Sequence, residues 1–86
     1  MSQNKEDLKN KIIYRATYRG TKEMDILMTA FANSLINELD ENHLKALDLF
    51  VNLDDETLIS FKKKESPTNY KDKKMIHIIQ KFQNFS

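Results

Sequence analysis

No cysteine occurs in the 86 residues, so disulfides and thiolate metal sites are excluded and the redox compartment stays open. One glycine and one proline are too few for the tight turns of an all-β fold. No apolar run approaches the roughly 20 residues needed to cross a bilayer, so no membrane insertion is expected. The opening stretch, Met1 to Asp7, is polar and mixed in charge. It lacks the apolar centre of a secretory signal and the arginine-rich, acid-poor character of a transit peptide. A bacterial cytoplasmic protein is the expectation, with a processed mitochondrial matrix form as the alternative. A net charge of +1 and a pI near 7.9 argue against a dedicated nucleic-acid binder, which would carry a clear basic face.

What is present is helical. With 40% hydrophobic and 31% charged residues, the chain reads as one folded domain over 1–86, its ends 1–4 and 83–86 frayed, with Phe85 tucking back as the alternative. A first helix is expected from Lys5 to Tyr18, capped by Asn4, with Leu8, Ile12, Ile13 and Ala16 as its apolar stripe. A second starts near Glu23 and runs to Asn37 or Leu39. Met24, Leu27, Met28, Phe31, Leu35 and Leu39 give its core face, widened by Ile26, Ala30 and Ile36. Asp40 caps a third helix, whose inward residues are Leu44, Leu47, Phe50 and Val51. Asp54, Asp55 and Glu56 place carboxylates at the positive end of a short fourth helix carrying Leu58 and Phe61. Pro67 sits in the one real loop, and Asn69 is placed to cap a last helix with Met75, Ile78, Ile79 and Phe82 inward. The fold class is all-α, a compact bundle of five short helices.

Chemistry-bearing sets are sparse. No supported Ser-His-Asp pattern, phosphate-cradling glycine loop or metal-ligand spacing is found, so no catalytic residue and no metal ligand is assigned. His43 and His77 read as isolated histidines, and the Asp54–Glu56 carboxylates lack the glycine and spacing of an EF-hand loop. Lys62, Lys63, Lys64, Lys71, Lys73 and Lys74 read as a solvated face. Their alternative is a basic patch for phosphate, which would make the protein a nucleic-acid accessory or general helical adapter. The single glycine lies in Tyr18-Arg19-Gly20-Thr21-Lys22-Glu23-Met24-Asp25, which also holds one of the two arginines. Locally this is helix punctuation: Gly20 supplies a positive φ and Thr21 a cap. Tyr14 and Tyr18, four apart, share a helix face just before it, a pattern that serves either rim packing or a contact patch.

Tyr14 to Asp25 also resembles the signature of the SdhE family, the succinate dehydrogenase flavinylation (assembly) factors. Their mark is R-G-x-x-E followed shortly by aspartate, and Arg19, Gly20, Glu23 and Asp25 match it. The likeness continues through Leu47 to Phe50, Asp54 to Leu58, Pro67, Asn69 and Ile78-Ile79-Gln80, and so covers about residues 12–81. Tyr18 stands where many members carry arginine, Thr21 where methionine is usual and Phe61 where tryptophan is frequent. The resemblance implies a non-enzymatic five-helix assembly factor, monomeric when free. It would bind the flavoprotein subunit of succinate dehydrogenase, or of fumarate reductase, and promote covalent attachment of FAD to a histidine of that client. FAD would then belong to the client and not be held stably by this chain, and no nucleic acid would be a partner. The partner-binding residues implied are Arg15, Tyr18, Arg19, Gly20, Glu23 and Asp25. Arg19 would offer its fork to client acceptors, Glu23 would orient Arg19 or meet a client cation, and Gly20 would let the two helices meet closely.

Overall fold

Five helices follow one another in the computed structural model, which describes residues 5–63 and 71–85. They are α1 (Lys5–Thr17), α2 (Lys22–Leu35), α3 (Glu41–Val51), α4 (Asp55–Lys62) and α5 (Lys73–Gln83), and no strand occurs among the described residues. The all-α, five-helix reading holds. Asn4, Lys64, Pro67 and Asn69 lie outside the described residues, as do the other positions of 1–4, 64–70 and 86.

The periodic apolar positions become the core. α1 packs on α2 and α3, while α5 packs on α3 and α4. Leu8, Ile12 and Ala16 of α1 are buried, as are Met28, Phe31 and Leu35 of α2. All four inward residues expected for α3, both for α4 and all four for α5 are buried too. Phe31, Phe50 and Phe82 meet at the centre with ring centroids 5.0–5.6 Å apart, the tilted and edge-on geometry that aromatic quadrupoles favour. Phe61 stacks beside Phe50 at 6.2 Å, and Phe85 folds back edge-on against Phe31 at 5.4 Å. No polar or charged side chain is buried in that core among the described residues. Ile26 and Ala30 differ from expectation. α2 ends at Leu35, and with its buried stripe set by Met28, Phe31, Ala32 and Leu35, both residues face outward, Ile26 at 62% exposure.

Helix ends are set by specific groups. Asp40 accepts a hydrogen bond from the backbone N–H of His43 at 2.8 Å, which caps α3 and holds its carboxyl below the usual range. For α5 the cap is Asp72, accepting from the N–H of Lys74 at 3.0 Å. Thr21 occupies the N-cap of α2, but its side chain makes no capping bond; its carbonyl accepts from Asp25 N–H at 2.9 Å. The far end of α5 is tied down by Lys62 of α4. Its ammonium donates to the carbonyls of Phe82 (2.8 Å) and Phe85 and lies 4.6 Å from the Phe82 ring centroid.

Candidate functional site, the joint between the first two helices

α1 stops at Thr17, whose hydroxyl donates back to the Ile13 carbonyl at 2.7 Å and lies 3.2 Å from the Thr29 hydroxyl of α2. The chain then turns through Tyr18, Arg19 and Gly20. Gly20 adopts φ +123°, a conformation that a Cβ strains. A Cβ added there would meet nothing within 4 Å. Glycine is therefore required by backbone torsion and not, as expected from close helix approach, by crowding. Asp25 closes the turn, its carboxylate accepting from the Arg19 N–H at 2.7 Å.

The Arg19 side chain turns inward. It is 8% exposed, and its guanidinium donates to the carbonyls of Val51 and Leu53 and to Asp55 Oδ1, the last at 2.8 Å. The fork thus satisfies acceptors at the end of α3 and ties them to the start of α4. α3 has no basic residue in its own last turn, so a cation from another element meets its negative end. Arg19 Nε is buried and finds no hydrogen-bond partner among the described residues. Glu23, four positions on, is exposed and does not orient the fork, which is already held by α3 and α4.

Outside this staple lies a surface of different character. Tyr14 and Tyr18 are 66% and 69% exposed, and their rings contact at 4.8 Å. With Arg15 they form one wall of an open groove of about 520 Å³, whose other wall includes Leu53, Asp54 and Asp55. Asp54 accepts from the Thr57 hydroxyl at 2.5 Å, and mainly for that reason its carboxyl sits below the usual range. Of the six residues expected to meet a partner, Arg15, Tyr18, Gly20 and Glu23 are exposed, whereas Arg19 and Asp25 hold the joint from within. The α3–α4 wall was not anticipated, because no local pattern links Asp55 to an arginine 36 positions earlier. Tyr14 was signalled only by its spacing from Tyr18.

The groove offers aromatic surface and charges of both signs but no nucleophile beside a base, which suits contact with a protein surface more than covalent chemistry. The family described as flavinator of succinate dehydrogenase matches residues 10–83 of the chain. No curated protein and no solved structure gives a match. The family span takes in all of α2 to α5 and most of α1, with the Arg-Gly joint inside it. The chain therefore belongs to the flavinators of succinate dehydrogenase, assembly factors rather than catalysts, which promote covalent attachment of FAD to the flavoprotein subunit of that enzyme.

Proposed function

We propose that this chain meets its flavoprotein client through the outer face of the α1–α2 joint, with Tyr14, Arg15, Tyr18 and Glu23 as contact residues. Arg19 and Asp25 act one layer below, and Gly20 supplies the positive φ of the turn, giving that face its shape. The observation that carries this reading is the exposed Tyr14–Tyr18 pair, which lines one groove with an arginine whose side chain is itself closed off from solvent. Solvent-exposed aromatic pairs flanked by charge are the kind of surface that binds proteins through a few energetic anchors. The bond to FAD forms within the client, where the histidine and isoalloxazine must be held in attack geometry. A small partner promotes that step by binding more tightly to the client conformation that provides it. The same face serves the fumarate reductase flavoprotein if that client presents the same conformation, and the protein acts as a monomer in the bacterial cytoplasm.

The rival reading, phosphate binding through the lysines, is weakened by Lys62, whose ammonium is engaged by the end of α5. The test is covalent flavin on the flavoprotein subunit, read as ultraviolet fluorescence in a denaturing gel after co-expression. The wild-type chain should give a strong band, while Tyr18→Ala and Glu23→Ala should weaken it with melting temperatures close to wild type. Equal bands in all lanes would remove this face from the mechanism. Salt-sensitive binding to RNA or DNA, with none to the flavoprotein, would replace the reading altogether.

A further inference from the structure

His43, in the first turn of α3, and His77, on α5, bring their rings to 5.7 Å between centroids at an interplanar angle of 75°. Neither is sealed in the core: the His43 side chain is 30% exposed and His77 is exposed. Asp40 Oδ1 lies 2.8 Å from His43 Nδ1, and the same carboxylate oxygen is fixed by the His43 backbone N–H. With Asp40 ionised, Nδ1 donates to it and Nε2 carries the free lone pair. A carboxylate behind one ring nitrogen is the arrangement that sets the tautomer and orientation of metal-ligating histidines.

The spacing of the two rings fits a shared cation. Imidazole nitrogen binds zinc at about 2.0–2.1 Å, which puts each ring centroid about 3.2 Å from the metal. Two such rings at a tetrahedral angle have centroids about 5.2 Å apart. The observed 5.7 Å is reached by opening that angle to roughly 125°, a small adjustment for one exposed and one part-exposed side chain.

We propose that His43 and His77 form a surface site for a late first-row divalent cation such as zinc, with Asp40 orienting His43. Among the described residues no group of three or more His, Cys, Asp or Glu gathers as a ligand set. The protein thus supplies two imidazoles and water completes the shell, giving an exchangeable site much weaker than a closed four-ligand one. Lys74, close enough for its charge to act on Asp40, works against the cation, and its flexible stem lets the ammonium move into solvent. Occupancy would link the start of α3 to α5. It would stabilise the folded chain, because unfolding separates the two ligands. The site does not include the Tyr14–Tyr18 face.

Zinc sulfate titrated into the full chain tests this, followed by the ring-nitrogen spectra of both histidines and by melting temperature. The expected result is a joint shift of His43 and His77 that saturates at one zinc per chain, with a melting temperature that rises with zinc. His77→Gln and His43→Gln should each weaken binding at least tenfold, and His77→Gln should leave the metal-free melting temperature unchanged. Asp40→Asn should weaken it by about tenfold, the lower end of what loss of an orienting carboxylate does. Zinc binding as tight in His77→Gln as in wild type, or a response from one ring alone, would overturn the bridged site. So would no response at all.

Discussion

Arg19 and Glu23 sit in one motif yet do different work, and the difference is measurable. Arg19 is nearly closed off, with its fork on two carbonyls and a carboxylate, whereas Glu23 is exposed. Truncating Arg19 leaves part-buried acceptors without their charged donor, at a cost of about 2 kcal/mol. For a domain of this size that lowers the melting temperature by roughly 10 °C. Lysine should not rescue it, because a single ammonium cannot reproduce the planar fork across three acceptors. Glu23→Ala should stay within about 0.5 kcal/mol of wild type, as exposed substitutions do. Thermal denaturation of Arg19→Ala, Arg19→Lys and Glu23→Ala checks all three, and an unchanged melting temperature for Arg19→Ala would refute the staple. Gly20→Ala belongs with Arg19. Its φ of +123° strains alanine by about 1–3 kcal/mol although the space around it is open.

At the scale of elements, two helix C-termini are finished by cations from elsewhere: α3 by Arg19 and α5 by Lys62. Lys62→Gln should therefore loosen the last residues and release Phe85 from Phe31, seen as faster hydrogen exchange at the amides of Asn84 and Phe85. Exchange unchanged from wild type would show that ring packing alone holds that end. The starts of α3 and α4 both carry a pH dependence, through Asp40 and Asp54, and α4 shows how it works. Asp54 accepts from Thr57, and that bond holds its carboxyl below the usual range. The folded value being depressed, the contribution is present above the ordinary carboxylate range and is lost as pH falls through the folded value. Stability of wild type and Asp54→Asn, measured by denaturant unfolding across acid pH, should converge as the medium is acidified. The helices themselves were legible because a 3.6-residue repeat needs only local sequence, and Leu44, Leu47, Phe50 and Val51 were read correctly as an inward set. The partners of Arg19 and Lys62 were not legible, since both depend on how distant elements pack. The Arg-Gly motif marked the joint between α1 and α2, but its residue types could not say that Arg19 turns in while Tyr18 turns out.

For the whole molecule, function rests on a small core. Phe31, Phe50 and Phe82 join α2, α3 and α5, and each is almost fully buried. An 86-residue domain has a total stability of about 4–13 kcal/mol, and removing one buried phenylalanine costs about 3–5. Phe50→Ala consequently consumes from a quarter of the margin to all of it, while Phe50→Leu keeps most of the volume and should cost far less. The two groups of variants then separate by temperature. With Phe50→Ala, flavin attachment should follow the folded fraction, recovering as the cells are cooled toward the temperature of maximum stability, about 10–20 °C. With Glu23→Ala, attachment should stay low at every temperature if the proposed face meets the client, because the bundle is intact and only that face has changed. Parallel circular dichroism of the purified variants supplies the folded fraction. A Phe50→Ala protein that is fully folded yet inactive would mean that the core does more than hold the α1–α2 face in place.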